Sequence, residues 1–172
     1  MAGTAVRLDT GGLVQAAELI VEAEVEAAQS YQSADGVIDT EYSLRILRTF
    51  LGEDLPSRSI RLPGGVLQDG RGLVLPGLPH PAVGERAILF LTGEGPQARR
   101  MPVGLGQGRW RIVPGPEGFP AIVAEMAGVA LMDEGGAESH LPPSSWVRSY
   151  AEGLAEIQAA VHARRASEEE SR

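Results

Sequence analysis

The sequence predicts an all-β domain with a single C-terminal helix, and three stretches carry that prediction. Leu19 to Ala27 alternates cleanly: Leu19, Val21, Ala23, Val25 and Ala27 share one face, and Glu22, Glu24 and Glu26 share the other. A period of two marks a half-buried strand. Ala87 to Leu91 is an apolar run between the turn Gly84-Glu85-Arg86 and the stop Thr92-Gly93. So short a run inside a tight glycine bracket fits a strand buried on both faces better than a helix. Towards the C-terminus the period changes. Trp146, Tyr150, Leu154, Ile157 and Val161 recur at spacings of four, four, three and four, the stripe of an amphipathic helix.

The elements follow in order. Met1 to Gly12 is small, polar and glycine-bearing, which predicts a flexible N-terminal segment over residues 1–12. Leu13 to Ala17 suits one helical turn before the first strand. Ser33-Ala34-Asp35-Gly36 signals a turn into a second strand, Thr40 to Phe50, with Tyr42, Leu44 and Ile46 inward and Glu41, Ser43 and Arg45 outward. Paired as a hairpin, the glutamates of the first strand meet the arginines of the second. Ser57 to Leu62 is a third strand, closed by Pro63-Gly64-Gly65. Val66 to Pro81 is a long loop with glycine turns and the Pro76/Pro79/Pro81 spacing, and loops of this length are often functional. Ala87 to Leu91, Arg109 to Val113, Ala121 to Glu125 and Val129 to Met132 complete a set of five to seven strands. Pro142-Pro143-Ser144-Ser145 then supplies a proline stop and a serine N-cap. The expected organisation is a β domain over 13–141, a helix over 142–166 and an acidic, disordered tail over 167–172.

Composition agrees. Of 172 residues, 43% are apolar but only 5% aromatic, so a core must rest on Val, Ile, Leu and Ala. Most of the 22 glycines and 12 prolines fall between Pro63 and Pro120, where they forbid long helices.

Several function classes lose their footing on chemistry. A net charge of -8, with only local arginines such as Arg99, Arg100, Arg109 and Arg111, offers no basic face for nucleic acid or anionic membrane. The absence of cysteine removes disulfides, thiolate metal sites and thiol catalysis. No apolar run is long enough to insert in a bilayer. His80, His140 and His162 do not stand at metal spacing, and the Glu22/Glu24/Glu26 row reads as a solvated strand face. Gly104-Leu105-Gly106-Gln107-Gly108 precedes the strand Arg109 to Val113, the reverse of a dinucleotide loop. No Gly-x-Ser-x-Gly elbow or Walker loop occurs. No cofactor, metal or catalytic residue is therefore expected.

A family resemblance rests on four stretches: Ala17 to Val25, the Thr40–Phe50 strand running into Leu51-Gly52, Gly84-Glu85-Arg86 before an apolar strand, and Gly104 to Gly108 leading into Trp110 and Val113. Together they resemble exported bacterial domains, common in myxobacteria, that look like OB-fold barrels of the netrin/tissue-inhibitor-of-metalloproteinase type. The resemblance implies an OB-like five- to seven-stranded barrel with the C-terminal helix packed on it. It also implies export, and in some members association with a secreted metalloprotease. Such inhibitors chelate zinc through an N-terminal cysteine, which this chain lacks, so that mechanism does not carry over. Gly52-Glu53 also stands where such domains often have lysine.

The expected function is a non-catalytic, exported protein-binding or assembly module. Met1-Ala2-Gly3-Thr4 lacks a basic n-region and an apolar h-region, so export requires a signal peptide already removed, and otherwise the chain is cytoplasmic. The candidate partner-binding residues are Leu73, Val74, Leu75 and Leu78 of the apolar loop, with Trp146 and Tyr150 of the helix stripe. Three alternatives stand beside this. One is a self-assembling subunit of a filament or shell, its N-terminal segment adding a strand to a neighbour. Another is a small-molecule or oligosaccharide binder stacking on Trp110 and Tyr42. The third is a hydrolase assembled around His80 or His140.

Overall fold

A computed structural model describes residues 3–124, 129–132 and 147–171. The chain runs β1 (Gly3–Val6), α1 (Thr10–Ala16), β2 (Leu19–Gln32), β3 (Ile38–Leu51), β4 (Ser57–Pro63), β5 (Gly65–Val66) and β6 (Gly72–Leu73). It continues with β7 (Arg86–Leu91), β8 (Arg109–Pro114), β9 (Pro120–Ala124), β10 (Val129–Met132), β11 (Val147–Ser149) and α2 (Tyr150–Glu170). The protein is therefore mostly β with one long C-terminal helix, and the predicted strands fall where their alternation and turn signals place them.

Seven strands form one antiparallel sheet in the order β11-β9-β8-β7-β2-β3-β4. Side chains of a strand alternate between faces, and this sheet has a core on each. On one face Ile20, Ile88, Phe90, Trp110 and Ile122 pack with Leu13 and Val14 of α1 and Ile157 and Val161 of α2. On the other, Leu19, Val21, Ala23 and Val25 of β2 meet Tyr42, Leu44, Ile60, Leu62, Ala87, Leu89 and Leu91. The β7 run is apolar throughout because its alternate residues feed two cores, as its unbroken hydrophobicity predicts.

The expected closed barrel is not formed by the strand ladders: among the described residues, no ladder joins β4 to β11, and the sheet is open. The ladder between β2 and β3 shifts register between Ile20/Val21, Glu22/Ala23 and Val25/Ala27. Such bulges bend a strand and increase its twist. Between β7 and β8 the chain makes two isolated bridges, Leu91 to Pro102 (antiparallel) and Arg61 to Arg99 (parallel).

Four expectations change. Glu22 does not share a solvated face with Glu24 and Glu26; it is only 1% exposed, because the face opposite Val21 is covered by α2. Gly3–Val6, expected to be flexible, pairs in parallel with Val129–Met132, which satisfies backbone groups that a loose tail would leave to water. The C-terminal helix starts at Tyr150 rather than near residue 146. Its N-cap is Ser149, whose side chain accepts from the Glu152 amide; Val147–Ser149 is held extended by its ladder to β9. The proposed caps Ser144 and Ser145 lie outside the described residues. Finally, the acidic tail is helical to Glu170, with Arg164 and Glu168 paired one turn apart at 2.9 Å.

Candidate functional site

The loop between β4 and β7 is the stretch that the sequence singles out, and the structure gives it an inside and an outside. Leu78 is 7% exposed and buried against the body, while Leu73 and Leu75 are half-buried. Val74 is 80% exposed and Val66 64%. The β5–β6 hairpin pairs Gly65 with Leu73 and Val66 with Gly72, so Val66 and Val74 stand on one small projection. Of the four loop residues expected to bind a partner, only Val74 is fully displayed. Leu78 instead anchors the loop.

His80 supplies the second anchor. Its Nδ1 is 2.8 Å from the Tyr42 hydroxyl, and its Nε2 is shielded from solvent with no hydrogen-bond partner. Gly64 has φ +108°, and a Cβ there would stand 2.5 Å from His80 Nε2, so only glycine leaves room for the ring. Burial, and then the positive charge of Arg109, hold the His80 pKa below its ordinary value. Burial pushes the Tyr42 phenol up to about 12. Beside this pair lies a recess of about 350 Å³ lined by Leu78, His80, Glu85, Arg109 and Arg111 among others. Within it Arg109 donates from Nε and Nη2 to the two oxygens of Glu85 at 2.8 and 2.5 Å. That bidentate pair ties β8 to the turn before β7. The imidazole thus faces a phenol. Neither a serine nor a carboxylate is among its hydrogen-bond partners, and the hydrolase reading finds no charge relay at His80. His140 lies outside the described residues.

The helix residues behave differently. Trp146 lies outside the described residues. Tyr150 is half-buried and turns inward: its hydroxyl donates to Glu22 Oε2 at 2.8 Å. Arg86 donates to the other oxygen of Glu22 from Nε at 2.7 Å and from Nη2, and its guanidinium lies 5.8 Å from the Tyr150 ring centroid. Burial, then the hydrogen bond to Glu22, raises the Tyr150 pKa. Tyr150 therefore fastens α2 to β2 through its hydroxyl. The sequence pattern missed this triad because Glu22 alternates with apolar residues as a solvent-facing residue would.

The stacking groups of the ligand-binding reading are internal. Trp110 is buried, meets Phe90 edge-on at 4.8 Å between centroids, and donates from Nε1 to the Gln107 carbonyl at 3.1 Å. Tyr42 is buried in the other core. Neither presents a face for a sugar ring. The N-terminal strand offered for self-assembly already has its partner in β10 of the same chain. Glu24 does pair across the hairpin with Arg45, at 2.7 Å, as the alternation predicts. Among the described residues, no group of three His, Asp or Glu side chains is placed to hold a metal ion, and no helix is long and apolar enough to cross a membrane.

Compared with known proteins, the chain matches no family model, and neither a curated protein nor a solved structure shows significant similarity to it.

Proposed function

We propose that this domain is a non-catalytic protein-binding or assembly module that meets its partner through the β5–β6 hairpin. The observation that carries the reading is the two-sided build of that loop. Leu78 and His80 hold its inner side while Val66 and Val74 are offered to solvent. Apolar side chains on a pinned loop lose little further freedom on binding, which favours their use as contacts. The acidic groups in the interior support the same reading. Glu22, Asp39 and Glu85 are each engaged by an arginine, an arrangement that fixes structure.

The proposal takes the architecture as an OB-like barrel. Its support is the pair of single bridges, Arg61 to Arg99 and Leu91 to Pro102, which carry the chain from the end of β7 towards β4. Export, which the family resemblance implies, belongs to the same proposal, with a secreted enzyme as one partner class.

The test compares the full chain with Val66→Glu/Val74→Glu as bait for the secreted fraction of the native organism. We expect a discrete species on the wild type and its loss from the variant, with the circular dichroism of the two proteins superimposable. An identical captured set on both baits would exclude the hairpin as the contact surface.

A further inference from the structure

Between the end of β3 and the last turns of α2 runs an open groove of about 320 Å³, lined by Arg48, Thr49, Phe50, Gln158, Val161, His162 and Arg165. We propose that this groove binds an oxyanion, a phosphate or carboxylate group, independently of the hairpin surface.

All 15 basic side chains of this chain are arginines, in a protein of net charge -8. Most described arginines are matched to a carboxylate: Arg45 to Glu24, Arg71 to Asp69, Arg86 to Glu22, Arg99 to Asp39, Arg148 to Glu156 and Arg164 to Glu168, for instance. Arg48 and Arg165 break that pattern, and both line this groove. Among the described residues neither makes an ion pair. Arg48 lies with its guanidinium 5.8 Å from the Phe50 ring centroid. Arg165 makes one long hydrogen bond, 3.5 Å, to the Phe50 carbonyl. Two acidic residues close in register or sequence are already engaged. Glu22, the cross-strand neighbour of Arg48, is held by Arg86 and Tyr150, and Glu168 is held by Arg164.

No acidic side chain lines the groove. Two arginines, both beside Phe50, therefore line the groove from two different elements, with His162 one helical turn from Arg165. Guanidinium forks match the planar or tetrahedral oxygens of carboxylate and phosphate. Phe50 and Val161 form an apolar floor, which suits an anionic group carried on an apolar body.

The experiment is a titration of the isotope-labelled full chain with inorganic phosphate, and separately with acetate, at constant ionic strength, followed by amide NMR. We expect saturable shifts centred on Thr49, Phe50, Gln158 and His162. Saturation by phosphate at lower concentration than acetate identifies a phosphoryl ligand, and the reverse order identifies a carboxylate. Arg48→Gln/Arg165→Gln should weaken binding about tenfold or more, as expected when charge-assisted hydrogen bonds are lost. Arg165→Gln alone, on the exposed side of α2, should give a smaller loss in the same direction. Arg71→Gln, on the β5–β6 turn, should bind as the wild type does. No saturable shift, or shifts that persist unchanged in the double variant, would overturn the proposal.

Discussion

Arg99 grips Asp39 side-on, its Nε and Nη2 each 2.8 Å from a different carboxylate oxygen, and Asp39 is completely buried. The same guanidinium reaches Asp35 from Nη1 at 2.8 Å, and Ser33 donates to Asp39 from within the β2–β3 turn. This one side chain thus ties the tip of the first hairpin to the segment that follows β7. The Asp39 and Asp35 carboxylates hold the Arg99 pKa well above its already high ordinary value, so the charge is permanent. Removing it leaves a buried carboxylate without its cation, a loss of about 3 kcal/mol or more. Arg99→Met should therefore lower the urea unfolding midpoint sharply, whereas Arg71→Met, removing an exposed pair, should change it by less than about 1 kcal/mol. Equal effects of the two substitutions would show that Asp39 is not enclosed as described.

Tyr150 and Glu22 form the corresponding tie on the helical face. Tyr150→Phe keeps the ring and its packing but takes away the hydroxyl that donates to Glu22. A hydrogen bond to a charged, buried acceptor contributes about 1.5–3 kcal/mol. The substitution should cost that order of stability in denaturant unfolding and increase hydrogen exchange in the first turn of α2. A stability within about 0.5 kcal/mol of the wild type would mean that the Tyr150 hydroxyl does not help to hold α2.

Both ties explain where sequence reading stops. The strands were legible because period and turn chemistry are local, and β7 announced its two-sided burial by being apolar at every position. Glu22 was not legible, since alternation tells which residues share a face and not what covers that face. In the same way Trp146 extended the helical stripe by one more spacing of four, yet the helix waits for Ser149 because the ladder to β9 holds Val147–Ser149 extended. The apolar loop was legible as unusual. Which of its leucines turn inward depends on the Gly64 conformation and the His80–Tyr42 contact, and both are set by tertiary packing.

The His80–Tyr42 contact predicts loss of stability at both ends of the pH scale. The His80 pKa is lowered in the folded protein, so folding favours the neutral ring. Its contribution is complete above the ordinary value of about 6.5 and declines as pH falls below it. Tyr42 is shifted the other way, to about 12. Its contribution is complete below about 10 and is lost as pH rises through the folded value, a change on the order of 2 kcal/mol. Thermal unfolding should show the wild type losing more stability than His80→Gln between about pH 7.5 and 5.5, and more than Tyr42→Phe above about pH 10. Parallel curves for wild type and variants would remove both residues from the linkage.

Gly153 offers a prediction in which two principles oppose each other. In an exposed helix interior, glycine to alanine gains about 1 kcal/mol from backbone entropy. Here the glycine faces the sheet, and an added Cβ would lie 2.5 Å from Ile122 Cδ1 and 3.6 Å from Trp110. Ile122, on β9, is itself buried in the core between α2 and the sheet, and its Cδ1 must leave its packed position for the new methyl to fit. Overpacking of this kind costs about 1–3 kcal/mol, so the steric term outweighs the propensity term. Gly153→Ala should destabilise the protein, and Gly153→Ala/Ile122→Val, which removes the clashing methyl, should recover part of the loss. A more stable single variant would mean that α2 can lift from the sheet at no cost, and that its close approach over Trp110 is not what seats the helix.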